Sequence, residues 1–202
     1  LVSMSGPSIA NEIIMDKPTT LVIAAKDTSL LEKTRKTFTN DVFRIYISED
    51  KVGVDLGGFL KNIVAIIAGA CDGLELGMNV KSAIMTRGFY EISLLANAQG
   101  ANPKTLTGLS CLGDMIVTCC SEHSRNRRFG EAMARGKTFE QAKEEIGQVV
   151  EGVIATELAM KFAEEKGIRL VLIPQIYALV HEGKNAKQCI DDFFKNEGKY
   201  EF

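Results

Sequence analysis

The sequence predicts a mainly α chain: a βαβ unit over residues 1–50, then an all-α region over residues 51–202. Three observations predict it. Thr19–Ala25 and Phe43–Ser48 are β-branched, apolar or alternating stretches with a strand signature. Between them Leu30, Leu31, Thr34 and Phe38 recur at helical spacing, so strand, helix and strand follow within about thirty residues, the building block of a doubly wound sheet. From Lys51 onward strand signals nearly vanish and apolar residues recur three or four apart.

In order, residues 3–8 (Ser-Met-Ser-Gly-Pro-Ser) are a turn-rich opening after what looks like a strand end, and Ser8 offers a cap for a short helix through Ile14. Asp27, Thr28 and Ser29 offer caps for the helix that runs to about Thr39. The long helix from about Val52 to Asp72 organises the rest. Leu56, Leu60, Ile63 and Ile67 make one face apolar, and Phe59, Val64, Ile66 and Ala70 make the others so, which predicts burial almost all round. Residues 73–79 form a loop, and a second long helix spans Val80–Gln99. Asn102-Pro103 opens the next helix, and Leu109–Thr118 is expected to break at Gly113-Asp114. Further helices follow over Ser124–Gly136, Thr138–Gly147, Val150–Gly167, Pro174–Glu182 and Ala186–Lys195. The helical region, about 150 residues, is an ordinary domain size.

Composition excludes several classes. A formal net charge of −2 gives no global pull towards nucleic acid or anionic membrane. Five cysteines follow no CxxC pattern, so they read as reduced thiols of a cytosolic protein, with neither a disulfide framework nor a metal site. Two histidines, His123 and His181, argue against a histidine-based triad or metal cluster. The longest apolar run, Ile63–Cys71, is too short to span a bilayer. No signal peptide is read at the start. A dinucleotide-binding sheet needs more strands and a Gly-rich first turn, and no GxGxxG occurs, so the chain is expected to be a piece of a longer protein.

Four constellations carry chemistry. Lys61-Asn62 lies in the apolar helix, where desolvation disfavours an ammonium and makes a lysine a usable proton acceptor. A lysine near the first turn of a core helix also snorkels to water. Asp114, in an apolar, Gly-broken stretch, needs a partner: Lys61 is one, and capping of the adjacent short helix is the alternative. Ser124-Arg125-Asn126-Arg127-Arg128-Phe129-Gly130 places basic residues in a helix's first turn. They oppose the macrodipole there unless an anion sits over it, which favours an anion site over a solvated basic face. Gly147-Gln148-Val149-Val150-Glu151-Gly152 is locally only a loop and cap, though Glu151 suits a ribose or amide donor.

Together the motifs resemble bacterial-type NAD(P)-dependent glycerol-3-phosphate dehydrogenase. The matching stretches are Ser5–Ala10, Gly58–Asn62, Gly88, Leu112–Asp114, Ser124–Gly130 and Ile146–Gly152, in order along essentially the whole chain. The resemblance implies the end of a Rossmann-type α/β domain followed by a helical substrate domain. It implies interconversion of sn-glycerol 3-phosphate and dihydroxyacetone phosphate with NAD or NADP, supplying glycerol phosphate for phospholipid synthesis. Lys61 would be the proton acceptor. Asn62, Asp114 and Thr118 would contact the glycerol portion, and Ser124, Arg125 and Asn126 the phosphate end. Gly6 and Ser8 would touch substrate. Ala10, Val149 and Glu151 would touch the cofactor, with Arg125 also facing it. A cytoplasmic homodimer is implied, without nucleic acid, metal or membrane span. The chain departs from the family in lacking the Gly-rich turn and an early lysine, which implies that it is inactive alone. It also has Ser110-Cys111 for the usual Ala-Gly, Asn11 for a basic residue, and an unusual Leu170–Pro174. Two other readings stand beside it: another hydroxy-acid dehydrogenase of similar architecture, and a non-catalytic helical self-association domain.

Overall fold

The computed structural model describes residues 1–195; the stretch 196–202, assigned to the end of the helical region, lies outside them. The front of the chain is a three-stranded sheet with β2 in the middle: β1 (Ser3–Ser5), β2 (Thr19–Ala24) and β3 (Phe43–Ser48). Strands β2 and β3 pair in parallel, Thr19 with Phe43 through Ala24 with Ser48, and α2 (Thr28–Phe38) crosses between them as predicted. Asp27 caps α2, accepting from the Ser29 and Leu30 N–H groups. Strand β1 runs antiparallel to β2 and occupies what the sequence marks as a turn. Three residues of Ser-Met-Ser show no alternation, so only pairing with β2 makes them a strand. The short helix α1 (Ala10–Ile14) has no side-chain cap, because the Ser8 hydroxyl donates to the Gly6 carbonyl instead.

The helical region is built round α3 (Lys51–Gly73), and every residue from Asn62 to Cys71 is buried. Leu60, Ile63, Ile66 and Ile67 are fully buried, each worth about 1.5–3 kcal/mol against exposure. By length and composition alone α3 is apolar enough to cross a membrane, a test that a buried core helix also passes. Its apolar faces are spent on the core instead. Helices α4 (Gly77–Ala98), α6 (Asp114–Cys120), α7 (Arg125–Ala134) and α9 (Glu151–Lys166) surround it. Glycines set the closest approach: a Cβ on Gly69 would overlap the Arg127 carbonyl, and one on Gly130 the Ile66 carbonyl. Two backbones thus meet at a reciprocal pair of bare positions, bringing the start of α7 over the Lys61 end of α3.

The remaining elements are α5 (Pro103–Leu106), α8 (Phe139–Ile146), α10 (Ile173–His181) and α11 (Ala186–Lys195). The expected break at Gly113-Asp114 is absent: a π-helical turn, Leu109–Gly113, runs straight into α6. This wide turn lies against α3 at Gly57, where a Cβ would stand 2.6 Å from that of Cys111. Polar ties lock the helices together. The fully buried Glu91 carboxylate of α4 accepts from the N–H groups of Val171, Leu172 and Ile173 at 2.8–3.1 Å and from Arg87 at 2.8 Å, anchoring the N-terminus of α10. Asp72 on α3 accepts from Lys81 of α4 at 2.7 Å and Arg127 of α7 at 2.6 Å.

Candidate functional site

A cleft of about 520 Å³ opens where α1, α3, α6, the start of α7 and the start of α9 converge. On its floor, α3 presents Lys61 and Asn62. Asp114 and Thr118 are four apart on α6 and so share a face. The Lys61 amine donates to Asp114 Oδ1 at 3.0 Å and to Thr118 Oγ1 at 2.6 Å. Thr118 in turn donates to the Asp114 carbonyl at 2.6 Å. Asp114 therefore pairs with the lysine, and its capping role is ruled out, since α6 has no side-chain cap. The lysine is neither in an apolar sleeve nor free in water: its side chain is 12% exposed and held by a carboxylate and a hydroxyl. Burial pushes the Asp114 carboxyl above the usual carboxylate range, partly offset by the Lys61 charge and by hydrogen bonds from Lys61 and Thr118.

The outer wall is the start of α7. Ser124 caps it, accepting from the Arg127 N–H at 3.3 Å. Arg125 donates to Glu151 at 3.0 Å and to Gln148 at 3.3 Å. Arg127 turns away to Asp72 and Glu131. Acids thus answer two of the three arginines, which corrects the expectation that only an anion relieves them. Asn126 donates to Asn62 Oδ1 at 2.8 Å and accepts from the Gly152 N–H at 2.8 Å, while Asn62 donates to the Gly58 and Phe59 carbonyls. This amide chain ties α3, α7 and the first turn of α9 into one rigid frame behind the cleft.

Of the residues singled out from sequence, the structure brings Ser8, Ala10, Lys61, Asn62, Asp114, Thr118, Ser124, Arg125, Asn126 and Glu151 to the cleft. Gly6 is not in its wall. It sits at φ +141° against Thr20 and Leu21, a backbone that favours glycine, and so shapes the β1–α1 turn. Val149 is 62% exposed and also lies outside the lining. The cleft adds the polar residues Asn11, Ser121, His123, Arg128 and Gln148 and the apolar Ile9, Val117 and Ile146. Arg128 and Gln148 stood inside recognised motifs without a role; Ser121 and His123 sit in a short connection that carries no pattern. Among the described residues no group of three or more His, Cys, Asp or Glu is arranged to hold a metal ion.

Comparison with known proteins places the chain in a family. The family model for the C-terminus of NAD-dependent glycerol-3-phosphate dehydrogenase matches residues 50–191. A glycerol-3-phosphate dehydrogenase (NAD(P)+) of Staphylococcus aureus is 40% identical over 198 residues, covering 98% of this chain and 60% of the relative. The solved glycerol-3-phosphate dehydrogenase of Coxiella burnetii superposes with a TM-score of 0.93 at 35% identity, over 96% of this chain and 60% of that one. That of Plasmodium falciparum, at 24% identity and a TM-score of 0.88, shares the fold over 98% of this chain and 58% of its own. The chain spans about 60% of the length of the curated relatives it matches. With its helical region matched nearly end to end, the chain belongs to the NAD-dependent glycerol-3-phosphate dehydrogenase family.

Proposed function

We propose that this chain carries the substrate half of a glycerol-3-phosphate dehydrogenase, interconverting sn-glycerol 3-phosphate and dihydroxyacetone phosphate. Residues 1–50 are the end of its nucleotide-binding domain and 51–202 its helical substrate domain. The single observation that carries the reading is the Lys61–Asp114–Thr118 cluster at the floor of a cleft whose rim is the Ser124–Arg128 helix start. An ammonium has three N–H groups. Asp114 and Thr118 use two, so one position remains for the substrate C2 oxygen. In its neutral form the Lys61 amine keeps those two N–H bonds and presents its lone pair at that position, where it takes the C2 hydroxyl proton during oxidation; as the ammonium it returns a proton to the carbonyl oxygen during reduction. Asp114 and Thr118 hold the amine at one point, so its proton is transferred from a fixed position. The start of α7 binds the phosphate end, which orients C2 against Lys61.

Ala10, Arg125, Gln148 and Glu151, all in the cleft wall, would hold a nicotinamide dinucleotide, with a small surface, a cation, an amide and a carboxylate suited to its phosphate, amide and ribose groups. When bound, the nicotinamide supplies the hydride acceptor or donor. The reading includes NAD or NADP as partner, a supply of glycerol phosphate for phospholipid synthesis, and a cytoplasmic homodimer. The five unpaired thiols suit a reducing compartment.

The test is oxidation of NADH and NADPH by dihydroxyacetone phosphate, using this chain and a version extended at its N-terminus. Activity is expected in the extended form. There Lys61→Ala should lower kcat by about 10²–10⁴-fold, the usual worth of a positioned acid–base group, with circular dichroism unchanged. Residual turnover within a few-fold of the parent would remove Lys61 from the chemistry. Turnover of a non-phosphorylated hydroxy acid in place of dihydroxyacetone phosphate would transfer the site to a different substrate class.

A further inference from the structure

Most cations near the cleft are already answered by acids. Lys61 meets Asp114 at 3.0 Å and Arg125 meets Glu151 at 3.0 Å. Arg127 lies 2.6 Å from Asp72 and 3.3 Å from Glu131, away from the opening. Arg128 differs. It is exposed and lines the cleft, and its guanidinium has no hydrogen bond or ion pair among the described residues. Glu145 on α8 is near enough for Arg128 to help lower its pKa, but its ion pair is with Lys137.

Spacing places this free cation at the rim. Arg128 is three residues after Arg125 and four after Ser124, so the three share one face of α7; Arg127, one step round, faces the core. The charged side chains lining the cleft are Lys61, Arg125 and Arg128 against Asp114 and Glu151, three positive and two negative. Two pairs neutralise themselves. The remaining positive charge belongs to Arg128.

A phosphomonoester carries about −1.5 to −2 charges at pH 7, and self-neutralised pairs offer such an anion little net attraction. We propose that Arg128 is a further phosphate-binding residue of this site, supplying the net positive charge that holds the phosphomonoester end of the substrate. The inference rests on the phosphate-substrate reading above. A guanidinium fork presents two parallel N–H groups to phosphate oxygens, and this one is not engaged elsewhere, so binding breaks no ion pair. Arg125 must first share its fork with Glu151 and Gln148.

Calorimetric titration of the N-terminally extended form with glycerol 3-phosphate, inorganic phosphate, glycerol and NADH tests it. Arg128→Gln should weaken glycerol 3-phosphate and phosphate about tenfold, the usual scale for one charge-assisted contact. It should leave NADH binding and the melting temperature unchanged, and Arg128→Lys should restore most of the loss. Arg128→Gln binding glycerol 3-phosphate as the parent does, while Arg125→Gln weakens it, would overturn the inference and leave the site reading standing. A loss confined to NADH would overturn it in favour of a cofactor contact. A parent chain that binds glycerol 3-phosphate no better than glycerol would overturn the reading and the inference together.

Discussion

Asp114 shows how burial and a charged neighbour compete at a single side chain. Desolvation raises its pKa, and Lys61 and Thr118 only partly reverse the shift. The folded protein therefore holds this proton more tightly than the unfolded chain does. Its stabilising contribution is complete below the unfolded value, about 3.9, and is lost as pH rises through the higher folded value. Asp114→Asn removes that titration. Urea unfolding across about pH 3–7 should show the variant gaining stability relative to the parent as pH rises through the window. A relative stability that falls instead would mean that the lysine outweighs burial. For the chemistry, a carboxylate that is costly to keep charged alone is well matched to an ammonium, so each member holds the other in place.

The α3–α7 crossing governs where that pair meets the rim of the cleft. Sequence propensity alone predicts that Gly69→Ala and Gly130→Ala stabilise their helices by about 1 kcal/mol each. Packing reverses the sign. Each new methyl would meet a backbone carbonyl of the facing helix, which has no rotamer to yield. Both variants should lose about 2–4 kcal/mol in urea unfolding, at and above the usual cost of overpacking. Two such losses at one interface should not add fully, because the first displacement makes room for the second. Either variant matching the parent's stability would show that the helices slide freely past one another. The Glu91 anchor is a second tie of this kind. It fixes α10 by accepting from the N–H groups of Val171, Leu172 and Ile173 around the helix start, and its effect is long range because α4 and α10 are far apart in sequence.

At the scale of the whole molecule, the core surrounds four of the five cysteines. Burial pushes Cys71, Cys111 and Cys119 up to about 12 and Cys189 up to about 11, whereas Cys120 is exposed. The thiolate is the nucleophile, so brief iodoacetamide treatment of native protein at pH 7.5–8, about a typical labelling range, should label Cys120 alone. All five should react in denaturant, as read by peptide mass spectrometry. Native labelling of Cys111 would reveal that the π-helical turn opens. The sequence by itself determined the parallel βαβ unit, the buried central helix and the residues of the Lys61, Asp114 and Ser124–Asn126 motifs, because hydrophobic period and residue chemistry are local properties. It also marked Asp114 as a carboxylate in need of a partner. Only the tertiary structure decided that Lys61 is that partner, that β1 is a strand, and that the Gly113 region winds without a break. It alone turned Arg127 towards Asp72 while leaving Arg128 at the cleft without a partner among the described residues. Those outcomes depend on groups distant in the chain, such as Ser3 with Ala24 or Lys61 with Asp114, or on which way one helix face is turned, and no local pattern encodes either.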